Sequence, residues 1–565
     1  MELKLVEIRD NQYMSDLYPD GLPSNAIIDK TLTAKGATTC ELDERYAKRN
    51  SIIIEPNVPV IDSKQVKYSN LLGVREGVTD YDVKKYLLDK SIRYKKIIVT
   101  PESYSKVKQA AEYAGVNLFK DFFLLIDECE KVVQDSNFRP AIVQPFFDFF
   151  SFDNKALISA TPLSPKLKGF TKHSFSHIKI VPTYDYKKNL SLIGTNNVQL
   201  EFLKQISLND NKKAIFLNSP DYAKTLIDKA DIRNHSKIYC SNQENAINKL
   251  HEDGYKASDS FVSGEILEQY SFFTSRFYSA VDLDTPDKPD IIMVTDCLSK
   301  AQTMIDPFTH SVQITGRFRS GIGNITHITN WKEDLKPKSR EEIIEDMEAQ
   351  SKVYNMLADL KETLTGRERQ LLTEIQERIP IYKVLFRNND YKGKVNPFLV
   401  ECDIQKSKVE SFYQDLQSLN NAYNETGHFN VSYHYEHYKE KPKAVKAKPL
   451  SRERKLQILE RLQDLKPEGL VLKFLTEEQQ EELRSLRHEA PELCKYYEKF
   501  GMDKIIEIDY DLATMKRQLK SAHKKEICFV PIDEIHSTFI IGRPYSENEI
   551  VTNLQTIYDK YELVD

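Results

Sequence analysis

The chain has 565 residues, 40% of them hydrophobic and 29% charged, with a formal net charge of −5. That length accommodates three or four domains; no apolar run is long enough to span a bilayer, and the charged opening "MELKLVEIRD" is no secretory leader. Seven scattered cysteines without a C-x-x-C pair point to a reducing, cytoplasmic setting and away from structural zinc, and without excess positive charge any nucleic acid must be gripped by a local groove.

From residue 1 to about 335, short β-rich runs alternate with helical stretches, the pattern of parallel α/β sheets. The first series of predicted strands is "NAIID" (25–29), "SIIIEP" (51–56), "KKIIVT" (95–100), "FFLLID" (122–127) and "KALISA" (155–160). The second is "KAIFLN" (213–218), "SKIYC" (236–240), "YSFFTS" (270–275), "DIIMVT" (290–295) and "SVQIT" (311–315). Two sets of five buried strands predict two tandem α/β domains, 1–180 and 181–335. Charged sequence with helical spacing follows, predicting a helical accessory region over 336–436. The tyrosines of 412–438 read as core aromatics or as stacking surfaces for bases. A lysine-rich stretch, 437–455, reads as a basic linker. The last segment, 456–565, combines a short β pair, "EICFVPI" and "STFIIGRPYS", with an amphipathic helix, "ENEIVTNLQTIYDKY". It is expected to form a small α/β domain, either winged or packed against the core.

Chemistry concentrates where strands end. "FFLLIDECEK" (122–131) delivers Asp127 and Glu128 from a buried strand. There one carboxylate can organise Mg²⁺ while its neighbour polarises a water. "LISATPLSP" places Ser159, Ala160 and Thr161 after the next strand, and "SVQITGRFRSG" supplies Gln313, Gly316, Arg317 and Arg319. "IIIEPNVPVI" and "IIVTPESYSK" each empty into a proline-containing polar loop.

In this order, over residues 25 to about 330, the motifs resemble the superfamily 2 helicases and translocases of the DExD/H kind. The matching parts are D-E-x-E, S-A-T, T-P-E-S, Q-x-x-G-R-x-R and a motif V-like "FFTSRFYSAVDL" with Ala280 in the glycine position. The resemblance implies two tandem RecA-like P-loop NTPase domains with ATP and Mg²⁺ between them. It assigns Asp127 to Mg²⁺, Glu128 to the attacking water, Gln313 to nucleotide sensing, and Arg317 and Arg319 to the γ-phosphate. Asp282 would lie near the ribose, and Ser159, Ala160 and Thr161 would couple hydrolysis to domain movement. Pro56 and Asn57, Thr100, Pro101, Glu102 and Ser103, with Asn218, Ser219 and Thr274, would line a groove for a nucleic-acid strand. The expected partner is single-stranded or forked DNA, with RNA as an alternative, alongside replication proteins; no membrane is implicated. G-R-F-R-S is similar to the motif of the herpesvirus origin-binding-protein-like branch and its phage and plasmid relatives. That implies replication or recombination of a phage or mobile element, in the host cytoplasm.

One departure stands out. "TLTAKGATTCEL" (31–42) occupies the phosphate-loop position, with Gly36 as the last glycine and Thr38, next to Thr39, as the Mg²⁺-binding hydroxyl, but Ala37 stands where a lysine belongs. Lys30 and Lys35 are the candidates to replace that charge. If neither does, the scaffold is a slow or inactive ATPase that binds DNA or initiates replication.

Overall fold

The computed structural model describes residues 2–439 apart from 34, 138, 164–169, 171–172, 243–244, 280–282 and 387–392. Beyond 439 it describes 452–465, 486–487, 490–511, 514–515, 517–519, 538–539, 543 and 545–560. Two compact units result, 1–355 with 380–444, and 356–379 with 445–565.

The first unit contains two eight-stranded sheets in which all strands run parallel. The first is built from β1 (Leu3–Ile8), β2 (Ala26–Asp29), β3 (Asn50–Ile54), β4 (Leu71–Val74), β5 (Lys96–Val99), β6 (Phe122–Asp127), β7 (Asn154–Ser159) and β8 (Ser176–Pro182). Its spatial order is β1-β8-β2-β7-β6-β3-β5-β4, so the strand before the broken loop (β2), the S-A-T strand (β7) and the acid strand (β6) lie side by side. The second contains β9 (Lys188–Thr195), β10 (Lys213–Phe216), β11 (Ser236–Tyr239), β12 (Lys256–Ser258), β13 (Tyr270–Phe273), β14 (Asp290–Thr295), β15 (Ile325–Thr329) and β16 (Phe429–Glu436), ordered β12-β11-β13-β10-β14-β15-β9-β16.

Continuous apolar runs form these strands because both faces of each sheet are covered. Along β6, Phe122, Leu124 and Ile126 enter one core while Phe123 and Leu125 enter the core on the opposite face. β14 divides the same way, Ile291 and Met293 against Ile292 and Val294. The architecture is the expected one, two tandem RecA-like α/β domains followed by a region whose described elements are helices.

Two expectations are corrected. "SVQIT" is not a strand but the helix His310–Thr315; its alternating Val312 and Ile314 mimic a β pattern, while Thr315 Oγ1 bonds back to the Ser311 carbonyl (2.9 Å), one helical turn earlier. The strand at that point in the chain is β15. Second, the stretch assigned to a helical accessory region is not helical throughout: Arg340–Glu362 and Gly366–Gln376 are helices, but its last part, 416–436, is built into the second domain. Helix Leu416–Glu425 packs beside β16, and β16 pairs with β9 as the sheet's last strand. Tyr413 and Tyr423 are buried there, whereas Tyr433 and Tyr435 are about half exposed.

In the second unit, helices Arg452–Asp464 and Pro491–Glu507 contact one another around Ile458, Leu459, Leu462, Leu493 and Tyr496. The predicted final helix is present as Glu547–Lys560. The predicted strand "EICFVPI", half of its partner "STFIIGRPYS", most of the 437–455 linker, and Asp282 with Ala280 lie outside the described residues.

Candidate active site

The residues nominated on either side of the two-domain junction converge. β2 ends at Asp29 and the chain turns through Lys30 and Thr31 to Gly36, which precedes helix Ala37–Leu42 in a left-handed conformation (φ 76°) that suits glycine. Thr38, in the first turn of that helix, donates its hydroxyl to Asp127 Oδ2 at 2.6 Å. Ala37 is buried and lines the same cavity. Thr39 lines it as well.

The two candidate lysines have different fates. Lys30 is buried, with Nζ 3.3 Å from Glu128 Oε1 and 3.6 Å from Asp127 Oδ1. Lys35 instead donates to the Asp10 carbonyl at 2.9 Å and lies 5.2 Å from the ring centre of Tyr184. Backbone strain accompanies the Lys30 placement: Thr31 and Glu128 have φ of 55° and 44°. Such conformations cost about 1–3 kcal/mol each in non-glycine residues. Thr31 is held by its own N–H to Asp29 Oδ1 (2.8 Å) and its hydroxyl to the Ile180 carbonyl (2.5 Å).

The second domain closes the site through helix His310–Thr315. Gln313 Nε2 donates to Glu128 Oε2 (3.1 Å), Glu130 Oε1 (3.0 Å) and Thr161 Oγ1 (3.3 Å). Arg317 bonds to Gln313 Oε1 and reaches within 3.7 Å of Glu128 Oε1. Its Nε is buried with no hydrogen-bond partner among the described residues. Gly316 permits the approach, because Thr33 Oγ1 donates to its carbonyl at 3.0 Å and a Cβ on residue 316 would lie 2.1 Å from that hydroxyl.

These contacts set the protonation pattern. Burial raises the Glu128 carboxyl, but Lys30 and Arg317 hold it down at about 2. Burial lowers Lys30, and the carboxylates of Glu128 and Asp127 more than offset that, raising its ammonium above the ordinary value. Burial and the adjacent Glu128 charge push Glu130 well above the usual carboxyl range. Glu55, at the end of β3, is likewise raised by burial and by Asp127 and Glu128. The centre therefore sets two basic side chains, Lys30 and Arg317, against two acidic ones, Asp127 and Glu128, with the raised carboxyls of Glu130 and Glu55 beside them.

In front of this centre lies a cavity of about 430 Å³. Lys30, Lys35, Arg45, Lys64, Lys67, Arg317 and Arg319 line it against only three acids, Glu55, Asp127 and Glu128, a local positive field inside a net-negative chain. Tyr13 and Tyr46 add ring surfaces. Sequence reasoning missed Glu55, Arg45, Lys64, Lys67 and both tyrosines. Only Glu55 left a signal there, as an acid directly after an apolar strand.

The S-A-T residues sit at the back of the centre. The Ser159 carbonyl accepts from Lys30 N–H (2.9 Å) and the Ser159 hydroxyl from Thr161 N–H (3.0 Å), while Ala160 is buried. The groove residues are placed at strand ends but are largely engaged. Ser219 caps helix Pro220–Ala230 by accepting from Tyr222 N–H, and the Thr274 hydroxyl donates to the Tyr239 carbonyl. Asn218 accepts from Ser275 N–H and donates to the Gln302 carbonyl. Glu102 pairs with Arg139 (2.8 Å), and Pro56, Thr100, Pro101 and Ser103 are buried. Asn57 N–H donates to Glu55 Oε1 at 3.1 Å, tying the first groove loop to the cavity wall.

No family model matches the chain, and no curated protein matches it either. Among solved structures it is similar to Saccharomyces cerevisiae Dbp5 bound to RNA and ADP BeF3, at 14% identity and TM-score 0.36 over 56% of this chain and 82% of that one. A DEAD box protein from Methanococcus jannaschii follows at 12% identity and TM-score 0.30, over 55% and 87%. RecG bound to a three-way DNA junction gives 13% identity and TM-score 0.32, over 69% and 48%. These scores are low, and the reading of the site rests on this chain's own residues. Among the described residues, no helix is long and apolar enough to cross a membrane.

Proposed function

We propose that the chain is an ATP-dependent nucleic-acid helicase or translocase of the superfamily 2 type, hydrolysing ATP in the cavity between its two α/β domains. The observation that carries this reading is Glu128, held between Lys30 of the first domain and Gln313 and Arg317 of the second. A carboxylate buried at a strained backbone position between two buried cations from different domains costs stability, a cost that a chemical role for Glu128 would explain.

In this reading the triphosphate enters along the lysine- and arginine-lined cavity with its base toward Tyr13 or Tyr46. Lys30 and Arg317 exchange carboxylate oxygens for phosphate oxygens, and the buried Arg317 Nε gains an acceptor. Lys30 supplies the charge missing at Ala37, while Lys35 remains with Asp10. The Thr38 hydroxyl and Asp127 carboxylate, 2.6 Å apart, are hard oxygen donors suited to Mg²⁺, which takes few protein ligands and fills its shell from phosphate and water. When bound, that ion neutralises phosphate charge. Glu128 orients the attacking water and accepts its proton, Gln313 holds Glu128 in place, and Arg317 stabilises charge developing on the transferred group. Arg319, exposed at the cavity edge, is assigned to the outer phosphates, and Asp282 to the ribose. Loss of the Glu128–Gln313–Arg317 contacts on product release would let the domains part, stepping the groove loops along a strand.

DNA is the proposed strand and replication or recombination of a phage or mobile element the proposed setting, on the G-R-F-R-S resemblance. The competing reading, an ATPase-inactive DNA-binding or initiation protein, draws on Ala37; the burial of Lys30 against both acids weighs against it. ATP turnover with and without single-stranded DNA or RNA separates the two. Strand-stimulated turnover is expected, reduced roughly 10²–10⁴-fold in Glu128→Gln. Absence of turnover in both proteins would establish the binding protein instead.

A further inference from the structure

A second cavity, of about 550 Å³, lies behind the centre. It shares no lining residue with the front cavity, yet Gln313 separates the two: its amide bonds Glu128, which lines the front, and Glu130 and Thr161, which line the back. Val133, Pro162 and Leu163 complete the first-domain side of the wall, and the other side comes from the chain after residue 305 and from helix Pro397–Phe412, including Thr309, Ser411 and Lys408.

We propose that this back cavity receives the inorganic phosphate cleaved from ATP and is its route to solvent, with the Gln313 side chain as the gate. The proposal rests on the hydrolytic reading above. In that reading the γ-phosphate lies at the inner end of the front cavity, against Lys30, Glu128 and Arg317, so the remaining ADP stands between it and the front mouth. The way past Gln313 is the short one.

The back cavity is equipped for an anion. Lys408 has its ammonium 4.4 Å from the Phe308 ring centre and no carboxylate partner among the described residues. The other two acids in the lining already have partners. Asp306 accepts from Phe308 N–H, the Thr309 hydroxyl and Gln405, and Glu401 is matched by Arg340 at 2.8 Å. Glu130 Oε2 is buried without a hydrogen-bond partner among the described residues, and burial and the neighbouring Glu128 charge raise that carboxyl, which lessens its repulsion of an anion. Gln313 is itself held by Glu128 and Arg317, the groups that hydrolysis rearranges, so the gate is tied to the chemistry it serves.

The test uses the full chain and two variants outside the hydrolytic centre, Ser411→Trp to fill the cavity and Lys408→Glu to reverse its charge. ADP formation is followed by acid quench, and free phosphate by a fluorescent phosphate-binding sensor. In a single turnover of both variants ADP should form at the wild-type rate while free phosphate appears about tenfold more slowly, a change of roughly 1.4 kcal/mol in the release barrier. Ser411→Ala should behave as wild type in both readings. Phosphate release at the wild-type rate in Ser411→Trp and Lys408→Glu overturns the inference while leaving the ATPase reading intact. Unchanged release with loss of strand binding in Lys408→Glu would give the cavity to nucleic acid and equally overturn it. If wild type forms no ADP, the hydrolytic reading and this inference fall together.

Discussion

The loops at the ends of β2 and β6 and the loops at the ends of β10 and β13 were both nominated for function, and they differ in what their side chains do in the folded chain. In the first pair, Lys30, Asp127 and Glu128 are buried charges at or beside strained backbone, with no structural need that a hydrophobic residue would not meet better. In the second pair, Ser219 and Thr274 are polar groups already satisfied by helix capping and by a neighbouring carbonyl. Buried charge that the fold does not require identifies a chemical site more securely than a hydroxyl that the fold already uses.

The largest effect expected from this contrast is at Arg317. Arg317→Ala should lower ATP turnover by roughly a thousandfold or more while leaving nucleotide binding to the first domain largely intact, read by fluorescent-nucleotide titration. An equal loss of binding and turnover would make Arg317 a structural ion pair. For Ser219→Ala the contrast predicts a stability effect, about 1 kcal/mol from the lost cap, with strand affinity unchanged by fluorescence anisotropy. A large affinity loss at unaltered melting temperature would erase the distinction between the two regions. The smallest effect concerns Glu55, whose carboxyl is raised by burial and by Asp127 and Glu128. The fold raises its release of the proton above the ordinary carboxyl range, in which the unfolded chain has already lost it, so its stabilising contribution fades as pH rises through and beyond that range. The melting temperature of Glu55→Gln should therefore gain on wild type as pH rises above the ordinary carboxyl range. A difference that shrinks with pH would mean Glu55 is ionised in the fold.

What the sequence disclosed follows the same physics. Asp127 and Glu128 were readable because two acids ending a buried apolar strand conflict with burial, and Lys30 was readable as one of two charges near the broken loop. Which lysine turns inward was not, since that depends on Asp10 and Tyr184, brought beside Lys35 by the chain on either side of it. Arg45, Lys64 and Lys67 reach the cavity from short helices and loops that carry no motif. β16 was hidden for another reason. Its alternating "FNVSYHYE" sits among charged helical sequence, and its partner β9 lies far earlier in the chain, a pairing no local pattern encodes. "SVQIT" misled in the opposite direction, because every residue of 311–315 is buried and a short buried helix has the same apolar signature as a buried strand.

The most direct test of an ATP site built on Lys30 is steady-state ATP turnover at saturating nucleotide for wild type, Lys30→Ala and Lys35→Ala. Lys30→Ala should lose roughly a hundredfold or more, and Lys35→Ala should turn over at close to the wild-type rate. Full activity in Lys30→Ala, or its loss in Lys35→Ala alone, would contradict the assignment.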